Sequence, residues 1–501
     1  MDINMYETQA DSIDVDDIAT NSNNRIVLRR LQKNEASEYT NSLYIQNEHD
    51  GEYCDYVPEG ADDMGWLGYF VGKNQYLEVL SILTFVPTSG ASVRDVIVPF
   101  LRGVNQNKSI REIYFSGADL LGGEVFTMLG SFFRDNHNLT KIIIIDCDDL
   151  GDEWGRLFAL ALGSSTNKSL KNVDLQDNDI SEEVMVDIVT ALSVYPHLEQ
   201  LDLNGNRLGE NGCVALATLL RCSATELQQL YISNNEINDE GIEALAPALA
   251  NCNRLEYLHL SNNPSITTLG WQSLASVLEF PSSNLKGISI TENNVDDEAV
   301  TAFARALTSN NMLHTLNMID NPSITAVGWQ SFSKTLCNTS SGVNATFLSN
   351  HTLHFLGAAN TNETIGPLLD LNERDDKKEV ATVKILQCHS DFDMLPFFEW
   401  EFKVLPLVLS WLERASAYEM PAGFGPNIRR RKLSTIYQFV RGMPVLYVET
   451  CLRKELEDIK VAESQLEEEE ELQEEFMQRK QLLQERKESI MKRLGGNVKQ
   501  R

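Results

Sequence analysis

Apolar and polar residues follow a recurring unit along the middle of this chain. Leu198, Leu201, Leu203, Asn206 and Leu208 spell the template LxxLxLxxNxL. Leu170, Val173, Leu175, Asn178 and Ile180 fit the same register, as do Leu227, Leu230, Ile232, Asn235 and Ile237. So do Leu285, Ile288, Ile290, Asn293 and Val295. Two copies carry one extra residue after the Asn, at Asn263 with Ile266 and at Asn321 with Ile324. Strict alternation in LxL predicts a short strand with one apolar and one polar face. Behind each strand the period changes. Ala215, Leu216, Leu219 and Leu220, and again Ala244, Leu245, Ala248 and Leu249, make the stripe of a half-buried helix.

Weaker copies extend the array. Ile110, Ile113 and Phe115 keep the strand, with Ala118 at the Asn position. Leu139, Ile142 and Ile144 are followed by Cys147 there. Leu77, Leu80 and Ile82 read as a first strand, and Leu353 with Leu356 as a last, decayed one. Copies from Ile110 to Leu313 recur every ~29 residues, the spacing of a stacked-repeat architecture. A second regularity overlies the first. Pro264 to Trp271 recurs as Pro322 to Trp329, two periods on, so the repeats alternate in type. Asp63 to Trp66 resembles the same helix start, which places the first repeat helix at residues 63–74.

This template resembles the ribonuclease-inhibitor-like class of leucine-rich repeats. The resemblance implies an α/β leucine-rich-repeat solenoid of about nine to ten repeats, parallel strands inside and helices outside. It also implies that the repeated Asn amides form a ladder between neighbouring units. Elementary geometry agrees with a horseshoe. Strands stack about 4.8 Å apart, whereas helices approach no closer than about 8–10 Å. Tying one to the other in every unit forces an arc.

The expected organisation has four parts. Residues 1–60 are an acidic segment, disordered over 1–24, then a cap with a helical turn at Arg25–Leu31 and a strand at Ser42–Ile45 pairing with the first repeat. Residues 61–360 are the solenoid. Residues 361–446 are a helical C-terminal region, read as a cap or a separate partner-binding module. It holds a helix over Leu371–His389, a dense apolar stretch at Asp393–Tyr418 and a basic run at Arg429–Lys432. Residues 447–501 are a long charged helix. Leu452, Leu456, Ile459 and Leu466 have heptad spacing, but Glu463 and Glu470 interrupt the seam, so a monomer and a coiled-coil homo-oligomer both remain open.

Composition narrows the function classes. With 73 Asp+Glu against 42 Lys+Arg the formal net charge is −31. Such a chain lacks the basic face that nucleic acid or an anionic membrane requires. It favours a partner with a basic patch. The eight Cys are scattered singly, without metal-ligand spacing, so no metal or cofactor is expected. Leu67, Gly68, Gly72, Lys73 and Asn74 only caricature a P-loop: Leu67 stands where the first Gly belongs and Asn74 where Ser or Thr belongs. No nucleotide-binding half of the immune-receptor type is therefore expected. The N-terminus has no signal-peptide pattern, so the cytoplasm or nucleus is the expected home. The sequons at Asn107, Asn138 and Asn167 then read as turn residues before strands.

What remains is surface. The polar positions of each LxxLxLxxN unit face inward, among them Glu112, Tyr114, Lys141 and Asp177. Acidic and aromatic side chains dominate the middle of the face. The candidate partner-binding residues are Asp174, Asp202, Asn204, Tyr231, Tyr257, His259, Glu292 and Asp320. The leading expectation is a non-enzymatic interaction protein. Two alternatives stand beside it. The chain is similar in repeat class and acidity to the Ran GTPase-activating family, although none of that family's functional residues can be placed on it. A scaffold oligomerising through the C-terminal helix is the other.

Overall fold

The computed structural model describes residues 3–10, 12–36, 41–47, 55–83, 92–117, 123–147, 151–222, 226–340, 342–357, 362–389, 460 and 477–489. Residues 1–384 form one compact unit and 385–501 a second. In the first unit the strands are β1 (Ser42–Ile45), β2 (Asp55–Tyr56), β3 (Val79–Ile82), β4 (Glu112–Ser116), β5 (Lys141–Ile145), β6 (Asn172–Asp174), β7 (Gln200–Asp202), β8 (Gln229–Tyr231), β9 (Tyr257–His259), β10 (Gly287–Ser289) and β11 (Thr315–Asn317). They form one open, 11-stranded parallel sheet, sequential from β3 to β11, with β1 and β2 added at the N-terminal edge. β1 pairs with β3, as the Ser42–Ile45 pattern suggested.

Three helices precede the array: α1 (Ile3–Gln9), α2 (Val15–Ile18) and α3 (Ser22–Lys33). The repeat helices are α4 (Ala61–Lys73), α5 (Val93–Val104), α6 (Gly123–Asp135), α7 (Gly151–Gly163), α8 (Glu182–Leu192), α9 (Gly209–Arg221), α10 (Asp239–Asn251), α11 (Thr268–Val277), α12 (Asp297–Ala306) and α13 (Ala326–Leu336). After them come α14 (Val343–Phe347), α15 (Gly366–Asn372) and α16 (Lys377–Cys388). Strand and helix alternate, and the core lies between the two layers. The central Leu or Ile of each strand is buried there, as Leu201, Leu230, Leu258, Ile288 and Leu316 show. Burying these runs from water is the main source of stability.

The repeated Asn residues solve the polar problem this layout creates. A chain turning away from a strand buries backbone groups that need partners. Asn206 Nδ2 donates to Leu175 O of the preceding repeat at 2.8 Å and to its own Leu203 O at 3.0 Å. Its Oδ1 accepts from the Ile180 N–H at 3.0 Å. Asn178, Asn235, Asn263, Asn293 and Asn321 repeat the bridge to the preceding unit. A second ladder runs along the loops that enter the strands. Asn107 Nδ2 donates to Val71 O at 2.6 Å and Asn74 O at 3.0 Å, while Oδ1 accepts from the N–H groups of Ser109 and Ile110. Asn136, Asn167, Asn310 and Asn350 do the equivalent work. The sequon asparagines 107 and 167 are therefore buried with their amides committed.

The two repeats that share the Pro-to-Trp motif also share a capping contact, one that Asp152 and Ser181 make between α7 and α8 as well. α10 and α12 each begin with an Asp, and each Asp caps the following helix. Asp239 accepts from Thr267 N, Thr267 Oγ1 and Gly270 N. Asp297 accepts from Thr325 N and Thr325 Oγ1. A Cβ on Gly270 would sit 2.5 Å from Asp239 Oδ1, so the close approach requires glycine there.

Two expectations need correction. Residues 1–24, expected to be disordered, contain α1, α2 and the start of α3. Tyr6, Val15 and Ala19 are buried, and the Tyr6 ring meets Trp66 edge-on at 4.8 Å. Glu59 accepts from Thr20 N, Thr20 Oγ1, Asn21 N and Asn24 Nδ2. Acidic composition hid a few well-placed apolar anchors whose partners lie on the first repeat helix. The single helix expected over Leu371–His389 is instead α15 and α16. Between them Asp376 caps α16, accepting from Lys378 N and Glu379 N. A local cap there competes with helix continuation.

The decayed last strand survives as one bridge between Thr315 and Phe355. Of the second unit, residue 460 and residues 477–489 are helical. The apolar stretch at Asp393–Tyr418, the run at Arg429–Lys432 and the heptad positions Leu452, Leu456, Ile459 and Leu466 lie outside the described residues. No helix among the described residues is long and apolar enough to cross a membrane.

Candidate protein-binding face

The parallel register turns sequence positions a repeat apart into neighbours. Asp174 pairs with Asp202, Asp202 with Tyr231, and Tyr231 with His259. One transverse row thus reads Ile143, Asp174, Asp202, Tyr231, His259, Ser289, Asn317. The adjacent row reads Glu112, Lys141, Asn172, Gln200, Gln229, Tyr257, Gly287, Thr315. Both rows lie on the sheet face away from the helices.

At the centre of the first row sits Asp202, only 8% exposed. Its Oδ1 accepts from the Asn204 N–H at 3.0 Å. Burial pushes the Asp202 carboxyl up to about 7; the Asn204 hydrogen bond opposes this, and the charges of Asp174 and Asp177 add to it. Burial likewise raises Asp174 and Asp177 above the usual carboxylate range. Lys141 pulls Asp174 back down. Its ammonium sits 5.0 Å from the Tyr114 ring centroid, and hydrogen bonding to Tyr114 is the main reason its own pKa is raised. The charged side chains that act on Asp202 are the acids Asp174 and Asp177.

Aromatic groups flank this carboxylate. The Tyr231 and His259 rings lie 4.5 Å apart, tilted by 33°. Tyr231 donates its hydroxyl hydrogen to Gln229 Oε1 at 2.9 Å. Burial raises the Tyr231 pKa, with Asp202 adding, and burial lowers that of His259, keeping the imidazole neutral at pH 7. Tyr257 is 40% exposed and leans over Gly287, where a Cβ would come within 2.9 Å of the Tyr257 ring.

The turns after β5 to β11 form a third row in left-handed backbone conformation. Asp146, Asp177, Asn234, Asn262, Glu292 and Asp320 all have φ between 51° and 57°, and Gly205 has 65°. Asn and Asp tolerate this region better than most residues. Glu292 and Asp320 project from this row as exposed side chains near the C-terminal end. Among the described residues, no group of three His, Cys, Asp or Glu is arranged to hold a metal ion.

Comparison with known proteins matches these units. Residues 225–276 fit the family model described as Leucine Rich repeats (2 copies), and residues 196–217 fit that described as Leucine Rich repeat. Ribonuclease inhibitor of Sus scrofa is 27% identical over 178 residues, 35% of this chain and 38% of that protein. The NACHT, LRR and PYD domains-containing protein 5 of Mus musculus is 28% identical over 259 residues, 52% of this chain and 22% of that protein. The array is a ribonuclease-inhibitor-like leucine-rich repeat.

The chain spans well under half the length of each of these relatives. A solved internalin (inlF) of Listeria monocytogenes covers 64% of this chain and 95% of its own, at 15% identity and a TM-score of 0.33.

Within the leucine-rich repeat array, the eight candidate residues separate by position. Asp174, Asp202, Tyr231 and His259 form one contiguous row, and Tyr257 borders it. Asn204 is tied into the scaffold, since its Oδ1 accepts from the Ser233 N–H at 2.6 Å. Glu292 and Asp320 stand outside the row. Asp177 and Lys141 belong with the central carboxylates electrostatically and were not singled out from sequence. One period onward, Lys141 falls at Asn172 rather than at Asp174, so its influence on Asp174 crosses from one row to the next.

Proposed function

We propose that the chain is a non-enzymatic protein–protein interaction protein whose strand-lined face binds a partner through a basic patch on that partner. The observation that carries this reading is Asp202. It is a buried carboxylate, and the charges that act on it are those of Asp174 and Asp177, both acidic. Holding such a charge away from water is unfavourable unless a cation pairs with it. An arginine or lysine of a partner would supply that cation, with Tyr231 and Tyr257 offering rings for its stem. Aromatic groups beside a desolvated charge are the usual anchors of an interface. Location in the cytoplasm or nucleus belongs to the same reading.

The test is affinity capture with the full chain, compared with one variant carrying Asp202→Lys, Tyr231→Ala and Tyr257→Ala together. The variant is expected to lose the partners that the parent chain retains. An identical partner set, with the variant folded, would exclude this face as the binding site.

A further inference from the structure

A second feature lies at the far end of the array and has no part in that face. The turn after α14 and the start of α16 border a half-open cavity of about 270 Å³. Phe347 and Ala381 supply an apolar wall, and His351, Lys377, Lys378 and Asn311 supply polar groups. No carboxylate lines it, in a chain whose net charge is −31.

Two of the nearby acids, Asp376 and Glu379, are engaged elsewhere, and a third, Asp375, acts on Lys377 through its charge against the lowering that burial causes. Asp376 is spent on the N–H groups that open α16. Glu379 lies 3.7 Å from Arg374. Lys377 Nζ donates to the Asn372 and Arg374 carbonyls at 2.7 and 2.8 Å, which leaves one of the three ammonium hydrogens over. Lys378 is exposed at the rim. His351 Nε2 lies 3.0 Å from Phe347 O, so that nitrogen carries the proton. Its Nδ1 is buried without a hydrogen-bond partner. Burial, with Lys384 adding, pushes the His351 pKa down to about 4.

We propose that this cavity binds a carboxylate carried on a short apolar stem, the chemistry of an acidic peptide side chain. The two lysines meet the charge, and Phe347 with Ala381 meet the stem. The volume falls below the range of about 300–1,000 Å³ typical of small-molecule pockets and suits a single side chain. The overall negative charge does not forbid this. Charges beyond about 8 Å are screened at physiological salt, so the local lysines dominate.

The experiment follows the His351 ring proton by NMR in the full chain. The probes are the peptide acetyl-Glu-Leu-Glu-amide, glutarate and inorganic phosphate. The peptide is expected to shift the His351 signal and raise its pKa, with saturation at least about tenfold weaker in Lys378→Met. Lys378 is exposed, so an unchanged melting temperature checks that this variant is folded. Peptide binding tighter than glutarate assigns the site to a peptide; equal binding assigns it to a free small carboxylate. No response to either carboxylate, a response to phosphate alone, or equal saturation in Lys378→Met would overturn the proposal.

Discussion

The Asp239 carboxylate of one repeat holds the first turn of the next repeat's helix, accepting from the Thr267 backbone N–H at 2.7 Å and from its hydroxyl at 2.5 Å. Thr267 also accepts from Leu269 N at the start of α11, so it is both cap and connector. Thr267→Ala should lower unfolding stability by about 1 kcal/mol, the usual worth of an N-cap hydroxyl. Thr267→Ser should cost much less. Denaturant titration of the two variants checks this. Equal losses would mean that the methyl group, not the hydroxyl, matters.

The register of the array makes a sharper prediction. Leu203 is fully buried between sheet and helices, beside Asn206 of the ladder. Leu203→Asp puts an unpaired carboxylate there and should cost more than about 3 kcal/mol. Thermal unfolding reads the effect directly. A melting temperature equal to that of the parent would refute the register.

Asp202 should make stability and binding depend on pH in opposite directions. Its folded pKa, about 7, lies above the ordinary carboxylate value. Between roughly pH 4 and 7 the folded state therefore holds a proton that the unfolded state has lost, so this group's contribution to stability falls as pH rises through that window. Asp202→Asn should be more stable than the parent at pH 8, with the gap closing toward pH 4. Binding of a basic partner should strengthen from pH 6 to pH 8 as Asp202 ionises, and this trend should vanish in Asp202→Asn. Parallel melting curves at pH 5 and pH 8 for both proteins would contradict the assignment.

The C-terminal helix offers a test of assembly. Every residue of the described stretch 477–489 is exposed, with Leu482 and Leu483 more than 60% so. Glu463 and Glu470 interrupt the heptad seam. Light scattering is expected to give monomers both for the full chain and for a chain ending at Glu449. A dimeric full chain beside a monomeric truncation would assign oligomerisation to this segment.

The repeat, its strands and its apolar stripe were legible because each unit buries the same face at the same spacing. Leu201, Leu230 and Leu258 announce one another at fixed intervals, and period alone separates strand from helix. The charge balance was equally plain. The order at the N-terminus was not, because Tyr6 and Val15 are isolated apolar residues whose partners, such as Trp66, lie far along the chain. Nor was the break at Asp376, where a cap competes with an otherwise helical pattern.

For the binding face, the sequence by itself determined which side chains point away from the helices, since that follows from alternation along each strand. It could not say how they meet. Asp174, Asp202, Tyr231 and His259 are neighbours only because parallel pairing stacks residues about one period apart at strand spacing. The burial that lifts Asp202 to about 7 is likewise a product of that stacking, because desolvation depends on what surrounds a group in space rather than along the chain.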